Sequence, residues 1–435
     1  MNIFIGVIVG LVVLMILVVL HEFGHFLAAR RNGVNVLEFG IGFPPRAIAW
    51  IKDPKTGKWR RLPKSEWAKD RATKVVFSSS KDSTMAQKGM IFSLNWLPIG
   101  GFCQMDGESA ADDRKGTFGA ANFWKKTKIL FAGVAMNWLA AIVIFTVLAW
   151  VGMPDFLDHQ FTIAEDTRTE LVPVQIRMVE ENSPADQAGL MKGDYIISVD
   201  GTELQYASDI IDYDKAHAGE TVRFKIMRNV DANCIKLTTC NTDSCECDDD
   251  VEVVETDVTL NPADSEYLLG VKMESSQIKY YSTWSAPLVG VGLTAQVTGQ
   301  TFKGLGEMLW NLIRGVGSLF SFDSSVREEG QAAISAVGDS VSGPVGIIGV
   351  LFPAFTAAGP ENLAFLAAII SISLACMNVL PIPALDGGRW LLIAYFKMRG
   401  KKLTKETEEK IVSRAFIVLL ILMLVVTVLD ITRFF

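Results

Sequence analysis

The first twenty residues, Met1 to Leu20, carry no charged side chain. An α-helix rises about 1.5 Å per residue, so such a run matches the roughly 30 Å hydrocarbon core of a bilayer. Comparable runs occupy about Ile129–Val151, Leu363–Leu380 and Ile411–Leu429. Lipid offers no water to backbone polar groups, and so admits only helices and closed barrels as spanning structures. The chain therefore reads as an α-helical multi-pass membrane protein with four transmembrane helices. Hydropathy agrees, at a mean of +0.29 with 50% of the 435 residues hydrophobic. No Lys or Arg precedes the first run and no small-residue cleavage site closes it, so a cleavable signal peptide is not expected. The run continues instead into His21-Glu22-Phe23-Gly24-His25, then Arg30 and Arg31.

Charge orients the spans. Residues 30–128 hold 19 Lys+Arg against 9 Asp+Glu, residues 152–361 hold 13 against 33, and residues 389–411 hold 7 against 3. Positive charge beside spans marks the cytoplasmic side. Arg30, Arg31, Lys125, Lys126 and Lys128 thus place the first loop inside and the acidic segment outside, with the N-terminus extracytoplasmic. This is the arrangement of a multi-pass cell (inner) membrane protein. The acidic outer segment argues against a nucleic-acid partner. It also holds Cys234, Cys240, Cys245 and Cys247 in one polar stretch. Two disulfides with three pairings, or a mixture of free thiols, suit an extracytoplasmic location better than a metal site lacking His. Cys103 and Cys376 read as small core residues.

The spans divide the chain. Residues 1–29 form the first transmembrane helix and 30–128 a cytoplasmic segment. Within that segment the apolar stretch near 92–108, broken by Pro98, Gly100 and Gly101, is too short to span and suggests a turn between two strands. Either it re-enters the membrane shielded by protein, or it packs on a small cytoplasmic core. Residues 129–151 are the second helix. From 165 to 275 a β-rich domain is expected: Val172, Val174 and Ile176 alternate with polar residues, Ser183 caps a short helix, and Gly193–Gly201 reads as turn, strand, turn. A Cys-rich insertion, 229–250, interrupts it. Between 285 and 358 the pattern is helical and amphipathic. A fifth crossing there would invert everything downstream, so interfacial helices are preferred. Residues 362–388 and 411–430 hold the third and fourth helices.

Two motifs carry chemistry. Residues four apart share a helix face, so His21 and His25 can reach one Zn²⁺, while Glu22 lies beside them as a general base for water. His and Glu are costly at the end of an apolar span, although a proton relay or a buried polar network would also use them. Asn378-Val379-Leu380-Pro381-Ile382-Pro383-Ala384-Leu385-Asp386-Gly387-Gly388 must break the third helix at its prolines. In isolation Asp386 suits a helix-end turn equally well. Counting spans places it on the cytoplasmic side with the His pair, where a catalytic zinc still needs a third protein ligand.

Together these motifs resemble the site-2 protease family of intramembrane zinc metalloproteases, in its bacterial regulator-of-sigma-E protease branch. Phe39–Arg46, Leu97–Glu108, the PDZ-like run Ser183–Gly201 and Ser342–Ile347 add to the resemblance, which covers most of the chain. It implies Zn²⁺ held by His21, His25 and Asp386, with Glu22 as catalytic acid/base. It implies a membrane-re-entrant β-loop near Leu94–Met105, including Gly100 and Gly101, that pairs with an unwound substrate strand. Asn378 and Asn137 would then contact substrate. The expected substrates are single-span membrane proteins, such as an anti-sigma factor or remnant signal peptides. The lipid bilayer and an extracytoplasmic peptide or protein at the PDZ-like domain are the other expected partners. Three features depart from the pattern: Ala132-Gly133-Val134 lacks a proline, Phe102-Cys103-Gln104 replaces the commoner Tyr-Val-Lys, and one PDZ-like unit stands where two are common. A PDZ-bearing membrane scaffold whose zinc site is structural or lost, and a transporter using His21, Glu22 and Asp386 as a proton relay, are the competing functional classes.

Overall fold

The computed structural model describes residues 3–434 except 54–55, 65–88, 110–111, 158, 173, 203, 205–206, 229–251, 266, 275–276, 320–327, 329 and 331–342. The four clustered cysteines and the Cys-rich insertion lie outside the described residues. Among the described residues, four helices are long and apolar enough to cross a membrane: α1 (Ile3–Arg31), α2 (Phe123–Val151) and two near the C-terminus, Pro360–Val379 and Lys405–Phe434. The expected four apolar runs thus form four helices, each longer at its polar end than its hydrophobic stretch because the helix continues into charged residues.

The chain forms two compact units, Met1–Leu148 with Gly290–Phe435, and Ala149–Val289. In the first, β1 (Val36–Lys52), β2 (Trp59–Arg61) and β3 (Ile91–Met105) make an antiparallel sheet. Both β1 and β3 double back. Phe39 therefore pairs with Cys103 on one side and with Phe92 on the other, and Phe92 pairs again with Trp50. The described part of this ribbon begins with residues 101–105, whose outer edge pairs with no other described strand. A buried ion pair ties the ribbon together. Arg46 Nε donates to Glu38 Oε1 at 2.9 Å, Arg46 Nη2 donates to Glu38 Oε2, and Ser93 Oγ donates to Glu38 Oε1 at 2.6 Å. Burying a charge is costly unless it is paired and hydrogen-bonded, and here both conditions hold.

The second unit contains the β-rich region, flanked by more chain than the expected 165–275. Strands β4 (Met153–Pro154), β5 (Arg168–Val172) and β11 (Gln277–Tyr281) form one small sheet in the order β4-β11-β5. The larger sheet runs β10-β6-β7-β8-β9, built from β6 (Val174–Val179), β7 (Tyr195–Val199), β8 (Thr221–Arg228), β9 (Glu252–Thr259) and β10 (Val271–Glu274). The period-two pattern is realised. Val174, Ile176, Val222, Phe224 and Ile226 all face one core. Helix α3 (Pro184–Gln187) begins at Ser183, whose hydroxyl accepts from the Asp186 N–H. Within this unit Asp166 accepts from the N–H and hydroxyl groups of Thr283 and Ser285.

Helix α4 (Ala207–Ala216) turns Ile210 and Asp214 inward. Asp214 is 3% exposed and its Oδ1 has no hydrogen-bond partner among the described residues. Burial pushes its carboxyl up to about 7, opposed by nearby His217. The folded state therefore holds this proton more tightly than the unfolded chain does. Stability is full below the ordinary carboxylate range, falls as pH rises, and carries the whole penalty above about pH 7. Asp214→Asn is expected to stabilise the unit by roughly 2–4 kcal/mol at about pH 8, with no gain near pH 4. Hydrogen exchange of α4 amides in wild type and variant at the two pH values measures this. Equal protection at pH 8 would show that Asp214 finds a partner in solution.

The helix Ala286–Leu319 is continuous. It presses Gly290 onto α2, where an added Cβ would lie 2.4 Å from Thr146 Oγ1. Farther on, α5 (Pro344–Gly346), a π-helical turn (Ile347–Leu351) and α6 (Phe352–Ala357) form a short apolar segment. Asp430 of the last helix accepts from the backbone N–H groups of Gly343 (3.0 Å) and Gly346 (2.9 Å), satisfying donors that a helix start leaves open.

Candidate active site and metal centre

Helix α1 supplies His21, Glu22 and His25, and the two histidines, one turn apart, reach Asn137 and Ile129 of α2. Gly24 makes the close approach of the two helices feasible: a Cβ there would sit 2.3 Å from the Ala132 carbonyl oxygen. The third helix stops at Val379, and the chain turns through Leu380–Leu385 into α7 (Asp386–Met398). That turn folds tightly onto its own continuation. A Cβ at Gly387 would lie 2.1 Å from Val379 O, and one at Gly388 would lie 2.0 Å from Ile382 O. Two glycines after Asp386 are thus a steric requirement of the turn that aims its carboxylate.

The three side chains meet. His21 Nε2 lies 3.2 Å from Asp386 Oδ2, His25 Nε2 lies 3.2 Å from the same oxygen, and the two Nε2 atoms are 3.1 Å apart. Both imidazoles are buried and the Asp386 side chain is 16% exposed. Glu22 belongs to the same cluster, with a carboxylate oxygen within 4.8 Å of the imidazole donor atoms.

The opposite face of each ring is held. His25 Nδ1 lies 2.8 Å from the Ile129 carbonyl, which can only accept, so Nδ1 donates and Nε2 presents its lone pair. His21 Nδ1 lies 3.3 Å from Asn137 Nδ2, and Asn137 is fully buried with Oδ1 lacking a partner. Turning this carboxamide over sets Oδ1 against His21 Nδ1–H. The orphaned acceptor is then bonded, and Nε2 of His21 also becomes a lone-pair donor. Two such lone pairs and a carboxylate oxygen repel one another at 3.1–3.2 Å unless a cation lies between them. Tetrahedral zinc with bonds of about 2.0–2.1 Å separates its ligand atoms by about 3.3–3.4 Å, so this donor set suits that ion in chemistry and spacing.

Gly133 completes the wall behind the rings. An added Cβ would stand 2.6 Å from Nε2 of both His21 and His25. In the sequence this glycine stands out only for the proline missing after it. A usable signal was present: Gly133 and Asn137 are four apart, a small and a polar residue on one face of an otherwise bulky apolar helix.

A model described as peptidase family M50 matches residues 9–60 and 72–423. The chain belongs to peptidase family M50. Similar relatives match nearly all of its length. The zinc metalloprotease RasP of Shouchella clausii is 27% identical over 97% of each chain. The regulator of sigma-W protease RasP of Bacillus subtilis is 26% identical over 96% of each. A zinc metalloprotease described as putative in Clostridium acetobutylicum is 26% identical over 98% of each. This M50 chain is a zinc metalloprotease of the site-2 type, with Zn²⁺ as its cofactor and a membrane as its setting.

The remaining expected site residues lie around the cluster. Gly100 and Gly101 pack on α1 beside Val18 and Val19, just before His21, with Gly101 also against Gly40 O. Asn378 is half-buried, one residue before the helix ends at Val379, its Nδ2 donating to Leu374 O at 2.9 Å. Asn137 reaches His21, and its backbone carbonyl accepts from Ser371 Oγ at 2.9 Å, linking α2 to the third span.

Proposed function

We propose that this M50 chain is an intramembrane endopeptidase that cleaves single-span membrane proteins within or near the bilayer. His21, His25 and Asp386 hold its zinc and Glu22 is the catalytic acid/base. The observation that carries the reading is the convergence of the two imidazoles and the carboxylate, 365 residues apart for His21 and Asp386, at mutual separations of 3.1–3.2 Å. Bound zinc supplies Lewis acidity toward the scissile carbonyl and the attacking water. Glu22 accepts the proton of that water and returns it to the departing amide nitrogen, leaving a carboxylate and an amine. Ile129 O and Asn137 fix the imidazole tautomers, so Asn137 acts through His21 and not on substrate.

A transmembrane helix hides its carbonyls in its own hydrogen bonds, so the substrate must unwind before attack. Residues 101–105 form an open strand edge packed along α1 near Glu22, and they offer the unwound segment replacement pairing. This supports a re-entrant β-loop in which Gly100 and Gly101 keep the edge free of side-chain bulk. Asn378 stands where it can steady the substrate backbone once its carboxamide leaves Leu374 O. The unit Ala149–Val289, with its capped short helix and five-stranded sheet, is read as PDZ-like and extracytoplasmic. It would bind a peptide or exclude bulky outer domains, favouring substrates already trimmed, among them a membrane-anchored anti-sigma factor. The active site then faces the cytoplasmic side of an inner membrane.

Metal analysis of purified protein tests the ligand set. Wild type is expected to hold one zinc per chain, and His25→Ala and Asp386→Ala to lose it together with cleavage of a co-expressed single-span protein. Full zinc in Asp386→Ala would remove Asp386 from the site.

A further inference from the structure

A groove of about 320 Å³ runs between α1 and α2, and none of His21, Glu22, His25 and Asp386 lines it. Its walls are apolar, formed by Leu27 and Ala28 from α1 and by Ala132, Ala135, Met136 and Leu139 from α2, with Gly24 as its floor. Arg31 and Lys128 line its mouth. Both are exposed, and neither makes an ion pair among the described residues. Lys128 to Leu139 spans eleven helical positions, about 16 Å at 1.5 Å per residue. The groove thus combines an apolar trough of that length with two unpaired cations at one end.

Both walls are helices of membrane-spanning length, so this trough opens toward lipid and not toward bulk water. Exposed cations at the end of a span sit at the depth of lipid phosphates, and basic pockets between transmembrane helices take acidic headgroups. We propose that the groove binds one anionic phospholipid, its phosphate between Arg31 and Lys128 and an acyl chain along Ala132, Ala135 and Leu139. The site is separate from the catalytic one and does not depend on which face of the membrane the groove occupies. Its location gives it a consequence. The lipid bridges the helix that carries His25 and the helix whose Ile129 carbonyl, next to Lys128, holds the ring of that histidine. It therefore braces the pair of helices against separation.

The test uses the full-length protein, purified, stripped of lipid and examined by native mass spectrometry with phosphatidylglycerol or phosphatidylcholine of identical acyl chains. Wild type is expected to retain one phosphatidylglycerol with a preference of about 10–30-fold over phosphatidylcholine. R31A/K128A is expected to bring that preference close to one, and Lys125→Ala, outside the groove, to leave it unchanged. Ala135→Leu, which fills the trough while keeping both cations, is expected to weaken binding of the lipid itself. Zinc content, measured on the same samples, separates loss of lipid from loss of fold. Undiminished preference in the double variant overturns the proposal. So does equal binding of the two lipids by wild type, which would mark an ordinary boundary lipid. An acidic protein segment as the true occupant would likewise leave wild type indifferent to headgroup.

Discussion

Replacing Glu22 by glutamine is expected to slow cleavage by about 10²–10⁴-fold, the range over which a positioned general acid/base contributes. The substitution keeps the size of the side chain and one of its oxygens while removing its basicity. Zinc content should therefore stay at the wild-type level, because the three atoms that converge at 3.1–3.2 Å come from His21, His25 and Asp386. Single-turnover cleavage of a reconstituted single-span substrate, paired with metal analysis, reads both quantities on one preparation. Loss of zinc alongside loss of activity would make Glu22 a ligand. Unimpaired cleavage would return the site to a structural or relay role. A scaffold whose zinc is structural or lost predicts no cleavage in either protein, and a proton-relay transporter predicts no stoichiometric zinc.

A second large change, reaching the metal as well as the rate, is expected from adding a single methyl group at Gly133. Its Cβ would stand 2.6 Å from Nε2 of both imidazoles and equally close to His21 Cε1, far inside ordinary contact. Neither ring can retreat freely, since Nδ1 of one is tied to Ile129 O and Nδ1 of the other faces buried Asn137. The rings must move by most of an ångström or the two helices must part. Displacements of about 1 Å cost on the order of 10²-fold in rate, and here they also break the ligand spacing. Gly133→Ala is accordingly expected to lose most of its zinc and at least about 100-fold in cleavage. Helical propensity works in the other direction, because alanine exceeds glycine by about 1 kcal/mol within a helix. Far-ultraviolet circular dichroism should therefore report an intact helical fold in an inactive, metal-poor protein. Wild-type zinc affinity in this variant would mean that the helices pack farther apart than the structure places them.

These two residues were not equally visible in the sequence. Glu22 stands inside a motif whose logic is local: residues four apart share a helix face, whatever the rest of the chain does. Gly133 acts on atoms more than a hundred positions away, and only the crossing of α1 and α2 assigns it a neighbour. Asn137 follows the same rule. The family resemblance suggested substrate contact, while complete burial turns its carboxamide toward His21. The sheet shows a milder version. Prolines and glycines near 98–101 announce a turn between strands, yet nothing local says that β1 also doubles back. That pairing is non-local and is set by which edges remain open once the strands meet. Asp214 lies one turn after Ile210 on the inward face of α4, so its burial emerges from the core that this face joins.

By itself the sequence determined what can be settled within a turn or a span: four lipid-length helices, two imidazoles on one helix face, a forced break before Asp386, and an alternating β-rich insertion. Short-range geometry and the absence of water in a bilayer leave little freedom in those matters. Tertiary structure alone decided that Asp386 reaches both histidines, that Asn137 and Ile129 hold their far sides, and that a glycine must stand behind them. Each of these depends on distances between helices remote in the chain. Such distances are set by close packing and by the need to pair every buried polar group, and no stretch of sequence encodes them alone.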